Sequence, residues 1–246
     1  DFDLTMGEIL DVYEIAWRSL FVSGTATIIS FVLGVCGGSL LAFRRFRGRF
    51  FVMTLVNTGM GVPPVVVGLV VAILLWRSGP LGGLEWIYTT KAMVIAQVII
   101  ATPIITGFTA AAFASLNPKL RLQVYALGAS RWQMLWILLQ EVRLPLLAAI
   151  MVGFGAAIHE VGASVMVGGN IAGQTRVLPG AILLEEGKGN FGVALALGII
   201  LLTMMIAVNA LFTWVQLGIH RDVSQARRAI GQGGADTQAV RPWLNR

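Results

Sequence analysis

His159 and Glu160 stand side by side inside an otherwise apolar run, about Leu144–Val167. Two kinds of chemistry use such a pair. Within H-E-x-x-H on one helix face, two histidines hold zinc and the glutamate serves as general base. Here position 163 is alanine, and the second histidine, His220, lies far along the chain. The ligand set is missing, so neither a catalytic residue nor a metal site is expected. In the other case the pair is an ionisable island in a membrane span, and its cost in hydrocarbon makes it face a cavity or a partner. Cys36, the one cysteine, sits in another apolar run, which leaves no disulfide framework and no cysteine metal site. No G-x-x-x-x-G-K-[ST] loop occurs, so any use of ATP needs another chain.

Composition says what kind of element must hold that pair. Of 246 residues, 57% are hydrophobic and 12% charged, where a soluble domain carries about 25% charged residues. Surface of that kind needs hydrocarbon as its solvent, so an all-α integral membrane protein is expected. Five stretches reach the roughly 20 apolar residues of a span: Ser19–Phe43, Phe50–Trp76, Ala92–Leu116, Leu144–Val167 and Phe191–Ile219. The first run is too long, and lacks the basic start, for a cleavable signal peptide. Glycines at 34, 38, 155 and 162 are expected to let helices approach closely.

Lys and Arg set the orientation. Segments 44–49, 117–143 and 220–246 hold thirteen of the eighteen, and segments 1–18, 77–91 and 169–190 hold the other five. The N-terminus is therefore expected outside and the C-terminus in the cytoplasm. Residues 1–18, with Leu4, Ile9, Leu10, Tyr13 and Trp17 among carboxylates, fit an outer interfacial amphipathic helix. Trp17, Trp76, Trp86 and Tyr88 would form an outer aromatic belt. Residues 19–219 are expected to form the transmembrane domain and 220–246 a cytoplasmic tail, loose over its Gly-rich last stretch, 231–246.

The loop at 117–143 reads as two short helices around a turn. Asn117 can cap the first, Pro118 suits its first turn, and Gly128 closes it. Either it is an interfacial connector, or it docks a cytoplasmic partner. This loop resembles the coupling loop of ABC importer permeases, where E-A-A-x-x-x-G precedes a helix ending in Leu-Pro. Gly128 falls on the family glycine, and Ala129-Ser130-Arg131 follows as in many members. The E-A-A positions read Leu122-Gln123-Val124. Gln140-Glu141 stand where Leu-Pro is usual, with Leu144-Pro145 four residues later. "VPPVVVGL" (Val62–Leu69) resembles the second core helix of molybdate-type permeases. "HEVGASVMVGGNIAGQTRVLPGAI" (His159–Ile182) resembles their E-[FV]-G-x-x-x-M-x-x-G-N-I…T-x-x-L-x-x-A-I pattern, in wording closest to the tungstate branch. The likeness covers about residues 19–217.

That resemblance implies a type I ABC importer permease fold in the cytoplasmic (inner) membrane of a prokaryote. It implies no covalent chemistry and no cofactor in this chain. The partners it implies are a second copy of the chain, a cytoplasmic ATPase dimer using ATP and Mg, an extracytoplasmic oxyanion-binding protein and membrane lipid, with no nucleic acid. Leu120, Val124, Leu127 and Ala129 would give the ATPase apolar contact. Arg121 and Arg131 would set polar register, with Gly128 and Ser130 at the turn. Pro63, Pro64, Glu160, Gly162, Met166 and Asn170 would line the pathway or gate. Glu160 would organise structure by bonding loop backbone or Arg176, since a carboxylate repels an oxyanion. Thr175 and Arg176 would meet the anion or the binding protein, or Arg176 a lipid phosphate. Tungstate is the expected cargo, with molybdate or sulfate as the alternative. A channel or proton-linked carrier would need more ionisable residues across its spans than this one pair.

Overall fold

The structure, a computed structural model, describes the backbone of residues 6–44 and 46–238 and the side chains of residues 11–44 and 46–218. Expectations resting on residues 1–5, Arg45, 239–246 and the side chains of Ile9, Leu10 and His220 lie outside that range. All regular structure among the described residues is helical: α1 (Met6–Phe43), α2 (Arg49–Gly59), α3 (Pro64–Leu75), α4 (Thr90–Ala114), α5 (Pro118–Ala126), α6 (Arg131–Glu141), α7 (Arg143–Ile158), α8 (Gly162–Gly168), α9 (Leu178–Gly187) and α10 (Phe191–Gln238). A short 3-10 turn at Gly82–Leu84 closes the Gly/Pro segment before α4. Among the described residues, those up to Ile206 form one compact unit and those from Ala207 a second.

Three helices are long and apolar enough to cross a membrane on their own: Asp11–Phe43, Thr90–Ala114 and Phe191–Gly218. The other two expected spans are broken. α2 and α3 meet at 106°, and α7 is followed by α8 across His159-Glu160-Val161. α6 and α7 also meet at 71°. Residues 6–18 are continuous with the first span, so α1 is one helix of 38 residues. Val12, Ile15 and Ala16 pack against α9 and the start of α10, while Tyr13 and Trp17 stay exposed. The backbone remains helical to Gln238, so residues 231–238, expected to be loose, are helix. No proline lies between Pro179 and Pro242 to stop the hydrogen-bond ladder.

α4 is the central helix, packed by α1, α2, α3, α7 and α8. α1 buries small polar residues: Ser19, Ser23, Thr27 and Ser30 are buried, while Ile28, Val32, Leu33 and Leu40 are exposed. This inverts the pattern of a soluble helix. In lipid, association gains little from apolar burial and more from close packing. A Cβ at Gly34 would stand 2.6 Å from Ile105, and one at Gly38 2.6 Å from Thr109. Gly155, expected to be such a contact, instead has nothing within 4 Å of its Cβ position. Ser30 and Thr102 bridge the seam, with Thr102 Oγ1 donating to Ser30 Oγ at 3.3 Å.

The bundle has two distinct ends. At one, Phe43 meets Phe113 edge-to-face at 4.8 Å, and Leu138, Val142 and Leu146 complete an apolar cluster. At the other, Trp76 and Tyr88 stack edge-to-face at 6.2 Å, and Tyr88 N–H donates to Val167 O. Near that second end α9 and α10 join in a tight turn. Glu185 accepts from Lys188 at 2.6 Å and from Asn190 Nδ2 at 2.8 Å, and Gly189 takes φ +81°. The Asn190 and Lys188 hydrogen bonds hold the Glu185 carboxyl below the usual glutamate range. A depressed folded-state value stabilises above the unfolded value and is lost as pH falls through the folded one. Hydrogen exchange at Gly187–Phe191, corrected for intrinsic rate, is expected to quicken only once the medium is more acidic than a free glutamate titrates. An unchanged protection factor there would remove the carboxylate from the turn.

Candidate functional site: a broken-helix junction and a projecting helix pair

The break between α2 and α3 follows from its residues. Pro63 and Pro64 supply no N–H, and the residue before a proline is driven from helical geometry. α2 therefore stops at Gly59, and Pro64 opens α3 in its first turn. Val66 N–H returns to Pro63 O at 2.9 Å, which re-satisfies a carbonyl freed by the break. The second break, between α7 and α8, lies against the first. A Cβ on Gly162 would stand 2.6 Å from Val65 Cγ2, and one on Gly68 2.5 Å from Ala163 Cα. Pro63, Pro64, Glu160 and Gly162 are thus gathered at one junction.

Glu160 is buried there, at 5% exposure. Its Oε1 accepts Ala163 N–H at 2.6 Å, so the carboxylate caps the first turn of α8. Backbone donors at a helix start have no partner in the helix itself, and in hydrocarbon they must find one. Arg176, the other partner expected for the Glu160 carboxylate, donates instead to Asn170 O at 3.4 Å. His159 is exposed, with its Nδ1 hydrogen-bonded to Gly155 O.

Met166 and Asn170 sit farther along, on and just past α8. Asn170 adopts φ +51° and donates through Nδ2 to Gly180 O at 2.8 Å. Thr175 is 2% exposed, and its hydroxyl donates to Gly168 O and accepts from Ile171 N–H. It is a strut of the loop and has no surface to offer an anion. The same loop is held from α1. Arg18 donates to Gly173 O at 2.9 Å and Arg176 O at 3.2 Å, and Leu178 N–H donates to Ser19 Oγ at 2.7 Å.

At the opposite end, α5 and α6 project as a pair. Asn117 caps α5 by accepting Lys119 N–H, and Ser130 and Gln133 form a capping box on α6. Gly128 joins them at φ +78°, a left-handed conformation that glycine adopts without steric cost. Two expected contact residues point elsewhere. Leu120 packs into the cluster of Phe113 and Leu138, and Val124 is 6% exposed. Arg121 lies over the Phe43 ring at 5.4 Å, tied to α1. The period of α5 carries positions 120 and 124 inward and leaves a different apolar set outside. Leu127, Trp132, Tyr125 and Leu122 are 86%, 81%, 74% and 69% exposed. Ser130 and Arg131 are exposed beside them. Leu122, Tyr125 and Trp132 were absent from the expected contacts; for Leu122 and Tyr125 the signal was their place on the face of α5 opposite Leu120, while Trp132 lies in the first turn of α6.

Residues 34–222 match the family described as the binding-protein-dependent transport system inner membrane component. The chain belongs to this family. It is an inner-membrane permease subunit of an ABC transporter, and not an enzyme. A probable anion ABC transporter permease protein of Haloferax volcanii is 40% identical over 198 residues, covering 78% of this chain and 85% of that one. The tungstate uptake system permease protein TupB of Peptoclostridium acidaminophilum is 37% identical over 205 residues, covering 83% and 90%. In fold, the permease resembles a chain of the MetNI methionine ABC transporter in an inward-facing crystal form, with a TM-score of 0.73. That match has 18% identity and covers 88% of this chain and 99% of the other.

In this permease the cap on α8 is open to a direct test. Glu160→Ala removes the acceptor of a buried N–H, at a cost of about 1–3 kcal/mol, whereas Glu160→Gln keeps a side-chain oxygen. Thermal unfolding in detergent is expected to show a clear loss for the alanine variant and a small one for glutamine. Equal losses would mean that the carboxylate's charge, and not the hydrogen bond, holds the break.

Proposed function

We propose that this permease subunit imports a tetrahedral oxyanion, with tungstate as its cargo. Two copies would surround the pathway, a cytoplasmic ATPase dimer would supply the energy, and an extracytoplasmic binding protein would deliver the anion. The observation that carries the cargo is the 37% identity to a tungstate uptake permease along 83% of the chain. Relatives named for sulfate transport, at 28% and 30%, and for molybdenum transport, at 27% and 29%, are less similar. Supporting the coupling role is the exposed apolar surface around Gly128, formed by Leu122, Tyr125, Leu127 and Trp132. Surface of that kind on a projecting helix pair fits a protein groove. The charge asymmetry supports a cytoplasmic place for this pair and an outer one for the Arg18-held loop.

Co-expression with its ATPase and binding protein, followed by uptake in proteoliposomes, tests the reading. Tungstate uptake should depend on ATP and exceed molybdate and sulfate uptake at equal concentration. Faster molybdate or sulfate uptake would reassign the cargo. Stable transport without any ATPase would overturn the importer reading itself.

A further inference from the structure

We infer that Gln97 is a positioning residue for transport, fixing through Ser164 where α8 sits on α4; the inference rests on the import reading above. Gln97 and Ser164 are each 2% exposed, so residues of this chain alone already enclose both. Gln97 Nε2 donates to Ser164 Oγ at 3.3 Å. The other polar atom of the amide, Oε1, is buried with no hydrogen-bond partner in the chain. Gln97 is the one amide side chain on α4, and Ser164 the one hydroxyl on α8. One turn before Gln97, Met93 lies against Gly168, where a Cβ would stand 2.7 Å from Met93 Sδ. Met93 with Gly168 and Gln97 with Ser164 are thus successive rungs of one antiparallel seam. The Met93 rung is apolar and marks no register; the amide rung has a single matching partner.

α8 needs such a mark. It is seven residues long, and the chain bends on both sides of it. The break at His159-Glu160-Val161 precedes it, and Gly169 and Asn170 follow at φ +73° and +51°. Against α3 it presents Ala163 to Gly68, a contact of small groups that allows close approach but fixes no register. Energetics points away from a stability role for the amide. A buried polar atom left unpaired costs more than one hydrogen bond returns, and hydrogen bonds between membrane helices are worth little on average. An apolar side chain of the same length would fill the site with no acceptor to satisfy. Buried polar groups that lower stability can still specify register. A transporter must bring its broken-helix junction back to one place in every cycle, and a single polar rung in an apolar seam does that.

The test compares wild type with Gln97→Met, Ser164→Ala and the double variant by three readouts. These are thermal unfolding of the permease in detergent, hydrogen exchange along α8, and ATP-driven tungstate uptake by the assembled transporter at matched abundance. Gln97→Met is expected to unfold no earlier than wild type, because the unpaired acceptor leaves together with the bond. Ser164→Ala should unfold earlier, since it leaves the whole amide unpaired, and the double variant should recover the wild-type value. Uptake should nevertheless fall at least about fivefold in all three, with the double variant no worse than either single one, because they share one contact. In Gln97→Met, exchange at Val165–Gly168 should quicken at least about fivefold while that of α4 stays unchanged. A purely structural amide predicts the reverse: Gln97→Met would lose stability, and uptake would fall only with the amount of folded protein. Earlier unfolding of Gln97→Met, or full uptake by it, would overturn the inference. Failure of Gln97→Met and Gln97→Leu alike to reach the membrane would also overturn it, by showing that folding needs the amide. If wild type carries none of tungstate, molybdate or sulfate, the import reading fails by itself. Unfolding and α8 exchange then decide the positioning role, and equal exchange in wild type and Gln97→Met would end it.

Discussion

Gly128→Glu is expected to leave the permease folded and inserted, yet to remove ATPase capture and uptake. Gly128 holds φ +78°, and nothing stands within 4 Å of its Cβ position. A side chain there enters open space, so the cost within the chain is the left-handed backbone alone, about 1–2 kcal/mol. That strain stays local, because α5 and α6 are capped independently by Asn117 and by the Ser130-Gln133 box. The damage falls on whatever seats against the turn. Gly128 lies next to Leu127, the most exposed of the apolar residues around the turn at 86%. Disrupting the centre of an interface costs about 2 kcal/mol or more, at least about thirtyfold in affinity. Gly128→Ala carries the same strain with little bulk, and should keep most of the binding. Co-purification of the ATPase with each variant reads the difference. Full ATPase binding and uptake by Gly128→Glu would show that α5 and α6 do not couple this subunit to its ATPase.

The second large effect lies where the two breaks meet. Gly68→Leu is expected to destabilise the bundle by more than about 3 kcal/mol, the upper end of ordinary overpacking. A Cβ at Gly68 would stand 2.5 Å from Ala163 Cα and 3.3 Å from Ala163 O. The obstacle is backbone, which cannot swing aside as a side-chain tip can. α3 must therefore move off α8, or α8 must leave its place beside α4. Even Gly68→Ala should cost about 1–3 kcal/mol. Gly24 gives the contrast: it is also helical, and nothing stands within 4 Å of its Cβ position. Gly24→Ala should be neutral or stabilising by up to about 1 kcal/mol. Thermal unfolding of both alanine variants in one detergent checks the pair. Opposite signs are expected, and equal shifts would remove the close approach of α3 to α8.

Much of this was legible in the sequence because hydrocarbon imposes simple rules. Apolar length located the unbroken spans, and two consecutive prolines account for one break, since neither residue has a donor to give. The second break was harder. His159 and Glu160 advertised an unusual place, but no proline marked it, and the sequence left open whether Glu160 bonds loop backbone or Arg176. The helical period of α5 was readable, yet its phase was not. Leu120 and Leu122 are both leucines two residues apart, and the packing of Phe113 and Leu138 decides which one turns inward. α9 went unrecognised although Pro179 in its first turn and Gly187 at its end are ordinary boundary residues. It is short, at ten residues, and sits among glycines that also suit a loop.

The clasp between α1 and the loop before α9 also says something about order in time. Arg18 and Ser19 belong to α1, yet their partners are Gly173, Arg176 and Leu178, separated from them by 155 to 159 residues. At about 5–20 residues per second of synthesis, those partners follow after about 8–30 s. Through that interval α1 must wait in the bilayer with its guanidinium and hydroxyl unmatched by the loop. Its final anchor arrives only when most of the protein is already in place, so the clasp works as a closing latch on assembly.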